Sequence, residues 1–285
     1  MAKIGVIGGS GLYDLDGLSR EEWIEVKTPF GEPSDKFLLA ELEGKEIVFL
    51  PRHGRGHKIS PSKINYRANI YGMKRLGVER IISVTACGSL KEQFKPLDFV
   101  VPDQFVDRTS QARKDTFFDG DMIVHVSFAE PVCKDLAEIM YQQIVEMNLT
   151  VHSGGTYLNM EGPQFSTLAE SNLYRSWGMD VIGMTNLTEA RLAREAEICY
   201  VTLAAVTDYD CWHESHETVT VDIILDNLGK NVQNAKKILK TVIPRIPEER
   251  NCPCREALKY SIATNLESIS KKTKKKLGII IKNYI

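Results

Sequence analysis

Long hydrophobic runs are missing from this sequence. None approaches the ~18 consecutive apolar residues that a membrane-crossing helix needs, and no signal-type stretch precedes the first apolar segment, Ile4–Ile7. No membrane partner is therefore expected, and the expected location is the cytoplasm. An excess of one charge is missing too. With 36 Lys and Arg against 38 Asp and Glu the net charge is −2, which gives no overall attraction for nucleic acid or anionic lipid.

The familiar signatures of nucleotide, covalent and metal chemistry all fail on inspection. Gly8-Gly9-Ser10-Gly11 follows a strand, but Asp14 stands where a dinucleotide fingerprint needs its third glycine, and no Lys-Ser/Thr follows as in a P-loop. Thr85-Ala86-Cys87-Gly88-Ser89 contains no G-x-S-x-G elbow. His213-Glu214-Ser215-His216-Glu217 places its second His one residue early for H-E-x-x-H, and reads instead as a polar loop over the bound ligand. Cysteines number six, expected as thiols in a reducing cytosol. Cys87, Cys133, Cys199 and Cys211 sit in or beside apolar segments and read as core packing. Cys252-Pro253-Cys254 is too short for a C-x-x-C half-site and has no second Cys/His pair; a strained redox pair and a loop staple both remain open. None of these motifs calls for a metal.

What is present is a repeated punctuation. Ile4–Ile7, Ile47–Leu50, Ile81–Val84, Val181–Met184 and Tyr200–Val206 are apolar, β-branched runs, each stopping at a small polar cluster. Runs of this kind read as strands buried on both faces of a largely parallel sheet. Helical stretches lie between them, over about 60–76, 130–148, 167–177, 188–196 and from 220 to Pro244. The last carries Val221, Ile224, Leu225, Leu228, Val232, Ala235, Ile238 and Leu239 on one 3.6-period face. Phe37–Leu42 and Ile47–Leu50 read as a hairpin, so the sheet is mixed. The 285 residues, 43% apolar and 26% charged, are expected to form one α/β domain over 1–285. Residues 245–285 form its C-terminal segment: a Pro-, Glu- and Cys-rich loop, then a block of five lysines within Lys271–Lys276, read as a solvated, partly disordered end.

In open α/β sheets ligands bind beyond the carboxyl ends of the strands, where these polar clusters sit. The Gly8–Gly11 turn with the Ser10 hydroxyl is either an oxyanion cradle or a plain tight turn. Arg52-His53 offers a guanidinium fork and a second donor to a phosphate, or else a surface ion pair. His57 follows in a Gly-rich loop. Asp208 and Asp210, at i and i+2 after a buried strand, are paired acids of raised pKa or a capping turn. As paired acids, one can donate to a ring nitrogen while the other accepts from an exocyclic amine.

Taken together, Gly8–Leu12, Thr28-Pro29-Phe30-Gly31, Arg52-His53-Gly54, Pro61–Tyr66, Thr85–Leu90, Glu161–Ser166 and Thr207–Trp212 resemble, in the same order, the motifs of S-methyl-5′-thioadenosine phosphorylases, in the trimeric branch of the purine nucleoside phosphorylases. The resemblance spans roughly 3–245 and weakens beyond. It implies a sandwich around a mixed, mainly parallel, partly barrel-like sheet flanked by helices, and reversible phosphorolysis of methylthioadenosine with inorganic phosphate as co-substrate and without metal or organic cofactor. The alternative is a broader purine nucleoside phosphorylase acting on adenosine, inosine or guanosine. By matching motif, Ser10, Arg52, His53, Thr85, Ala86 and Thr185 resemble phosphate-binding residues. Phe165 resembles the ring stacked on the purine, with Ser166 beside it; Met184 resembles a residue lying along the ribose, and Ile182 and His57 resemble further substrate-binding residues. Asp208 resembles the partner of purine N7 and Asp210 that of the 6-amino group. His125 resembles a residue reaching a neighbouring subunit's 5′ pocket, which Val221 and Ile224 line; a homotrimer or a hexamer is implied. Gly183, where mammalian relatives carry Asn, is expected to loosen the ribose side. The paired cysteines resemble a feature of some archaeal members and suggest a thermophilic source.

Overall fold

The computed structural model describes residues 3–9, 11–110, 112–213 and 221–285, with side chains in the last stretch from Asp226 onward. Among the described residues there are eleven strands: β1 Lys3–Gly8, β2 Ser19–Ile24, β3 Phe37–Leu42, β4 Lys45–Pro51, β5 Val78–Ser89, β6 Phe99–Val101, β7 Gln104–Arg108, β8 Val151–Ser153, β9 Thr156–Met160, β10 Val181–Gly183 and β11 Cys199–Asp208. The same residues form six α-helices: α1 Tyr66–Arg75, α2 Lys134–Glu146, α3 Leu168–Ser176, α4 Asn186–Glu195, α5 Val221–Arg245 and α6 Lys271–Leu277.

The sheet forks at β5. One path runs β2-β3-β4-β1-β5-β10-β9-β7, while β11 also pairs with β5 and leads on to β6 and β8. The pairs β1–β4, β1–β5, β5–β11, β9–β10, β7–β9 and β6–β8 are parallel; those of β2–β3, β3–β4, β5–β10 and β6–β11 are antiparallel. The sheet is thus mixed and mainly parallel, as the apolar runs suggested. β5 itself runs on through Thr85–Ser89, where sequence punctuation suggested its end, because β11 keeps pairing with it as far as Asp208 opposite Gly88. The β3–β4 hairpin is tighter than its four-residue connector implied. Leu42 pairs with Lys45, leaving Glu43 and Gly44, both at positive φ, as a two-residue turn.

Alternation along the central strands feeds two cores. Ile4 and Val6 of β1, Ile47 and Phe49 of β4, and Val201 and Leu203 of β11 face the layer of α2 and α5, meeting Leu136, Met140, Ile238 and Leu239. Ile7, Val48, Leu50 and Tyr200 face the opposite layer, with Ile70 of α1 and Ala190 and Ala193 of α4. Burial on both faces is why these strands carry no polar alternation.

Helix boundaries follow local caps. Thr167 and Glu170 form the capping box expected of α3. Ser60-Pro61 opens only a short 3₁₀ turn, however. The α-helix begins at Asn65, whose Oδ1 accepts from the Ala68 N–H while its Nδ2 donates to the Phe30 carbonyl.

The C-terminal segment departs from expectation. α6 is helical, Lys276 pairs with Asp119 at 2.8 Å, and Leu258, Ile269, Leu277, Ile280 and Ile281 are buried in the α1–α4 core. The lysine block therefore rides on a helix whose apolar end is anchored in that core. Leu277→Ala should cost about 2–5 kcal/mol in denaturant unfolding; an unchanged unfolding midpoint would show that the tail contributes nothing to the core.

Candidate active site

The carboxyl ends of β1, β4, β5, β10 and β11 open into a cavity of about 660 Å³. Arg52, His53, His57, Thr85, Ala86, Phe165, Ile182, Met184, Thr185, Asp208 and Asp210 all line it. Ser10 lies outside the described residues, next to Gly9, which does line the cavity. Ser166 is not in the wall; its hydroxyl lies 3.8 Å from the Met160 sulfur, and Met160 is. His125 is exposed on the surface, away from its own chain's cavity. The side chains of Val221 and Ile224 lie outside the described residues, as do residues 214–220 of the expected covering loop. His213, at the near end of that loop, contacts Glu92 at 3.1 Å.

At one end the wall is built for an anion. Arg52 is 2% exposed, and its fork points away from the cavity: Nε and Nη2 donate to the Glu189 carboxylate, Nη2 also to Ser83 Oγ at 2.6 Å, and Nη1 to the Val84 carbonyl at 3.0 Å. Burial disfavours the guanidinium charge, but the Glu189 carboxylate more than offsets this and holds it ionised. One Nη1–H is left for a ligand. Glu189, 1% exposed, also accepts from Ser83 Oγ at 2.6 Å and from the Tyr200 hydroxyl at 3.0 Å. Asn186 joins this network from the N-terminus of α4, donating to Ser83, Tyr200 and Thr202. Thr185 precedes it as the N-cap residue, so the positive end of α4 faces the same corner.

His53 does not have the donor role its pairing with Arg52 suggested. Its Nδ1 lies 2.7 Å from the Ile59 carbonyl, which can only accept, so Nδ1 carries the proton and Nε2 presents a lone pair. Burial and the Arg52 charge push its pKa down to about 4, keeping the ring neutral near pH 7. The ring stacks on His57 with centroids 4.3 Å apart. Such a ring accepts a hydrogen bond from a protonated phosphate oxygen.

The other end is acidic. Asp208 accepts from the Thr207 hydroxyl at 2.6 Å and from the Asp210 N–H at 2.8 Å. Burial raises its pKa, tempered by those two donors. The chain turns at Asp210, whose φ is +54°, so the pair is set by a bend rather than by the extended i, i+2 spacing first read there. Burial raises Asp210 to about 6; the nearby Ser171 and Ser166 hydroxyls oppose this, and the Asp208 charge adds to it. Its Oδ2 is buried and has no hydrogen-bond donor in range among the described residues, leaving it ready for a ligand N–H.

Between the ends, Phe165 is 64% exposed over the mouth. Gly183 does not loosen the ribose side. A Cβ there would lie 1.8 Å from the Tyr157 hydroxyl, so the tyrosine fills the space an asparagine would occupy. Leu228, Asn231, Val232 and Ala235 of α5 close one wall. Leu228, Val232 and Ala235 belong to the apolar face read from periodicity, and nothing in that pattern separates positions that line the cavity from those that pack in the core.

Residues 3–244 match the phosphorylase superfamily. The chain is 57% identical to an S-methyl-5′-thioadenosine phosphorylase of Geobacter sulfurreducens over 99% of both chains, and 53% identical to one of Thermosynechococcus vestitus over 100% of this chain and 99% of that one. Among solved structures it is similar to a methylthioadenosine phosphorylase sourced from an antarctic soil metagenomic library, with TM-score 0.94, 46% identity and 98% of each chain covered. It is also similar to a Schistosoma mansoni methylthioadenosine phosphorylase in complex with adenine, with TM-score 0.82 and 36% identity over 91% of this chain and 96% of that one. The chain belongs to the S-methyl-5′-thioadenosine phosphorylase family. Within that family's fold, the sheet ends converge on one cavity with a basic corner and an acidic one.

Glu189→Gln tests the basic corner. Removing one partner of a buried ion pair leaves the other charge uncompensated, so stability should fall by about 3–5 kcal/mol in denaturant unfolding. A loss below about 1 kcal/mol, the range of exposed pairs, would show that Arg52 does not depend on Glu189.

Proposed function

We propose that this chain catalyses the reversible phosphorolysis of S-methyl-5′-thioadenosine to adenine and 5-methylthioribose 1-phosphate. The observation that carries this reading is the pairing, within one cavity, of a neutralised cationic floor with two buried carboxylates of raised pKa. The activities named for the full-length relatives support it.

Phosphate sits at the basic corner, held by the free N–H of Arg52, the Thr85 and Thr185 hydroxyls and the backbone around Gly9, Ser10 and Ala86. It offers a protonated oxygen to His53 Nε2. An unprotonated oxygen attacks the anomeric carbon as the bond to the purine breaks, through an oxocarbenium-like state. The electron pair of that bond passes to the leaving purine. Asp208 supplies a hydrogen bond or proton at N7, and Asp210 accepts from the 6-amino group. Phe165 stacks on the base, with Ser166 beside it, and Ile182 and Met184 lie along the ribose. Phosphate is itself the nucleophile, so no metal or organic cofactor takes part.

Two carboxylates favour a 6-aminopurine, because a 6-oxo group asks for a donor and would leave an acceptor unpaired. By the motif resemblance Val221 and Ile224 belong to the 5′ side, where apolar residues favour a methylthio group over a 5′-hydroxyl. We place His125 in a neighbouring subunit's 5′ pocket, within a homotrimer or a hexamer, and its exposure away from its own cavity supports that placement.

Base release from methylthioadenosine and from inosine, with and without phosphate, tests the reading. Phosphate-dependent turnover should favour methylthioadenosine; faster inosine turnover would replace it with the broader nucleoside phosphorylase, and adenine binding without turnover would leave only a binding protein. Asp208→Asn should lower methylthioadenosine turnover by about 10²-fold or more while shifting relative preference toward 6-oxopurines. An unchanged preference would refute its role at N7.

The acid limb gives a pH test. Asp210 must be ionised to accept from the amino group, so kcat/KM should fall as pH drops through about 6. In Asp210→Asn that limb should vanish; an identical limb in the variant assigns it to another group.

A further inference from the structure

Four of the six cysteines meet at one point remote from the catalytic cavity. Cys133 is the N-cap residue of α2, Cys199 opens β11, and Cys252 and Cys254 flank Pro253 at a 3₁₀ turn in the loop after α5. Their sulfurs all lie within 4.8 Å of one another, and the four residues are between 1% and 7% exposed. The geometry points to a structural tetrathiolate metal site, holding one zinc-class divalent ion between α2, β11 and the C-terminal loop.

Three observations carry this. A tetrahedral centre with metal–sulfur bonds of about 2.3 Å separates its ligands by about 3.8 Å, inside the 4.8 Å within which all four sulfurs lie. Cys199 Sγ and Cys252 Sγ lie 3.1 Å apart in a thiol hydrogen bond, so these sulfurs face one another rather than separate apolar neighbours. An ion bound by four thiolates carries a formal charge of −2, and two guanidiniums stand beside it. Arg80 and Arg250 line a small cavity of about 30 Å³ with Cys133, Cys199 and Cys252, as do Asp135 and Glu249. Both arginines also pin the loop: Arg80 donates to the Glu249 carbonyl at 2.7 Å and Arg250 to the Glu197 carbonyl at 2.6 Å.

Four sulfur ligands with no open position make a closed site, which stabilises structure rather than activating water. Soft thiolates in a tetrahedron select zinc over harder cations. Binding replaces four S–H bonds with four S–Zn bonds and releases four protons, with no change of oxidation state. Sequence spacing hid the site because two ligands arrive singly, from positions 66 residues apart, and the other two are separated by one residue. β11 runs from Cys199 to Asp208, which puts the sulfurs roughly 30 Å from the acidic corner by strand rise. The ion therefore clamps the C-terminal loop to the far end of the catalytic strand.

Protein expressed with added Zn²⁺ and purified under reductant without chelator should contain roughly one zinc per chain by elemental analysis. Co²⁺ loading should give the visible bands of a tetrahedral thiolate site. Cys252→Ser and Cys254→Ser should each lower zinc content by at least about tenfold and lower the thermal midpoint, while Cys211→Ser, outside the cluster, should leave both unchanged. If the serine variants do not fold, the metal content and cobalt spectrum of the unaltered chain decide alone. Unaltered protein with less than about a tenth of an equivalent of zinc, or alkylation mapping that finds these four sulfurs joined as disulfides, overturns the proposal.

Discussion

The ion pair between Arg52 and Glu189 is the constraint on which the rest of the cavity depends. Both residues are nearly inaccessible, and in so dry a setting neither charge is tolerable without the other. The pair ties the end of β4 to α4, and through Ser83 and Asn186 it draws in β5 and β11. Four separate elements are thereby fixed at one corner. The corner is almost neutral in the absence of ligand, so an incoming anion meets directed N–H and O–H groups rather than a bare excess of positive charge. Preorganised donors of that kind need no rearrangement when charge develops in the transition state.

β11 distributes the work along its length. Its middle residues are buried between two layers, and its last residue, Asp208, reaches the acidic corner of the cavity. Its first residue, Cys199, meets the other three sulfurs. The C-terminal segment, which looks from composition like an appendage, fastens to the outside of this frame through Leu258, Leu277 and Ile281. A rigid frame suits a reaction whose rate depends on keeping a nucleophile and a leaving group aligned on opposite faces of one sugar.

The parts of this arrangement legible in the sequence were those with period and punctuation. Apolar runs ending in polar clusters located β1, β4, β5, β10 and β11, and helical spacing located α5 to within a residue of its observed end at Arg245. Arg52, His53, Asp208 and Asp210 were singled out because they sit at the ends of buried strands, and all four line the cavity. β6 and β8, three residues each, are too short to show alternation. Glu189 escaped notice because a glutamate in a helix is ordinarily solvated, and only the tertiary partner makes it a buried counter-ion. The tautomer of His53 was equally invisible, since it depends on a hydrogen bond to Ile59, six residues along the chain. Tyr157 behind Gly183 is a long-range fit of the same kind. The convergence of four cysteines from three elements is the extreme case.

The most direct test is a crystal structure of the protein with phosphate and adenine bound together. The account predicts phosphate against the free edge of Arg52, with the fork still on Glu189, His53 Nε2 facing a phosphate oxygen, and adenine gripped by Asp208 and Asp210. Phosphate that pulled Arg52 off Glu189, or either ligand lodged outside this cavity, would contradict it.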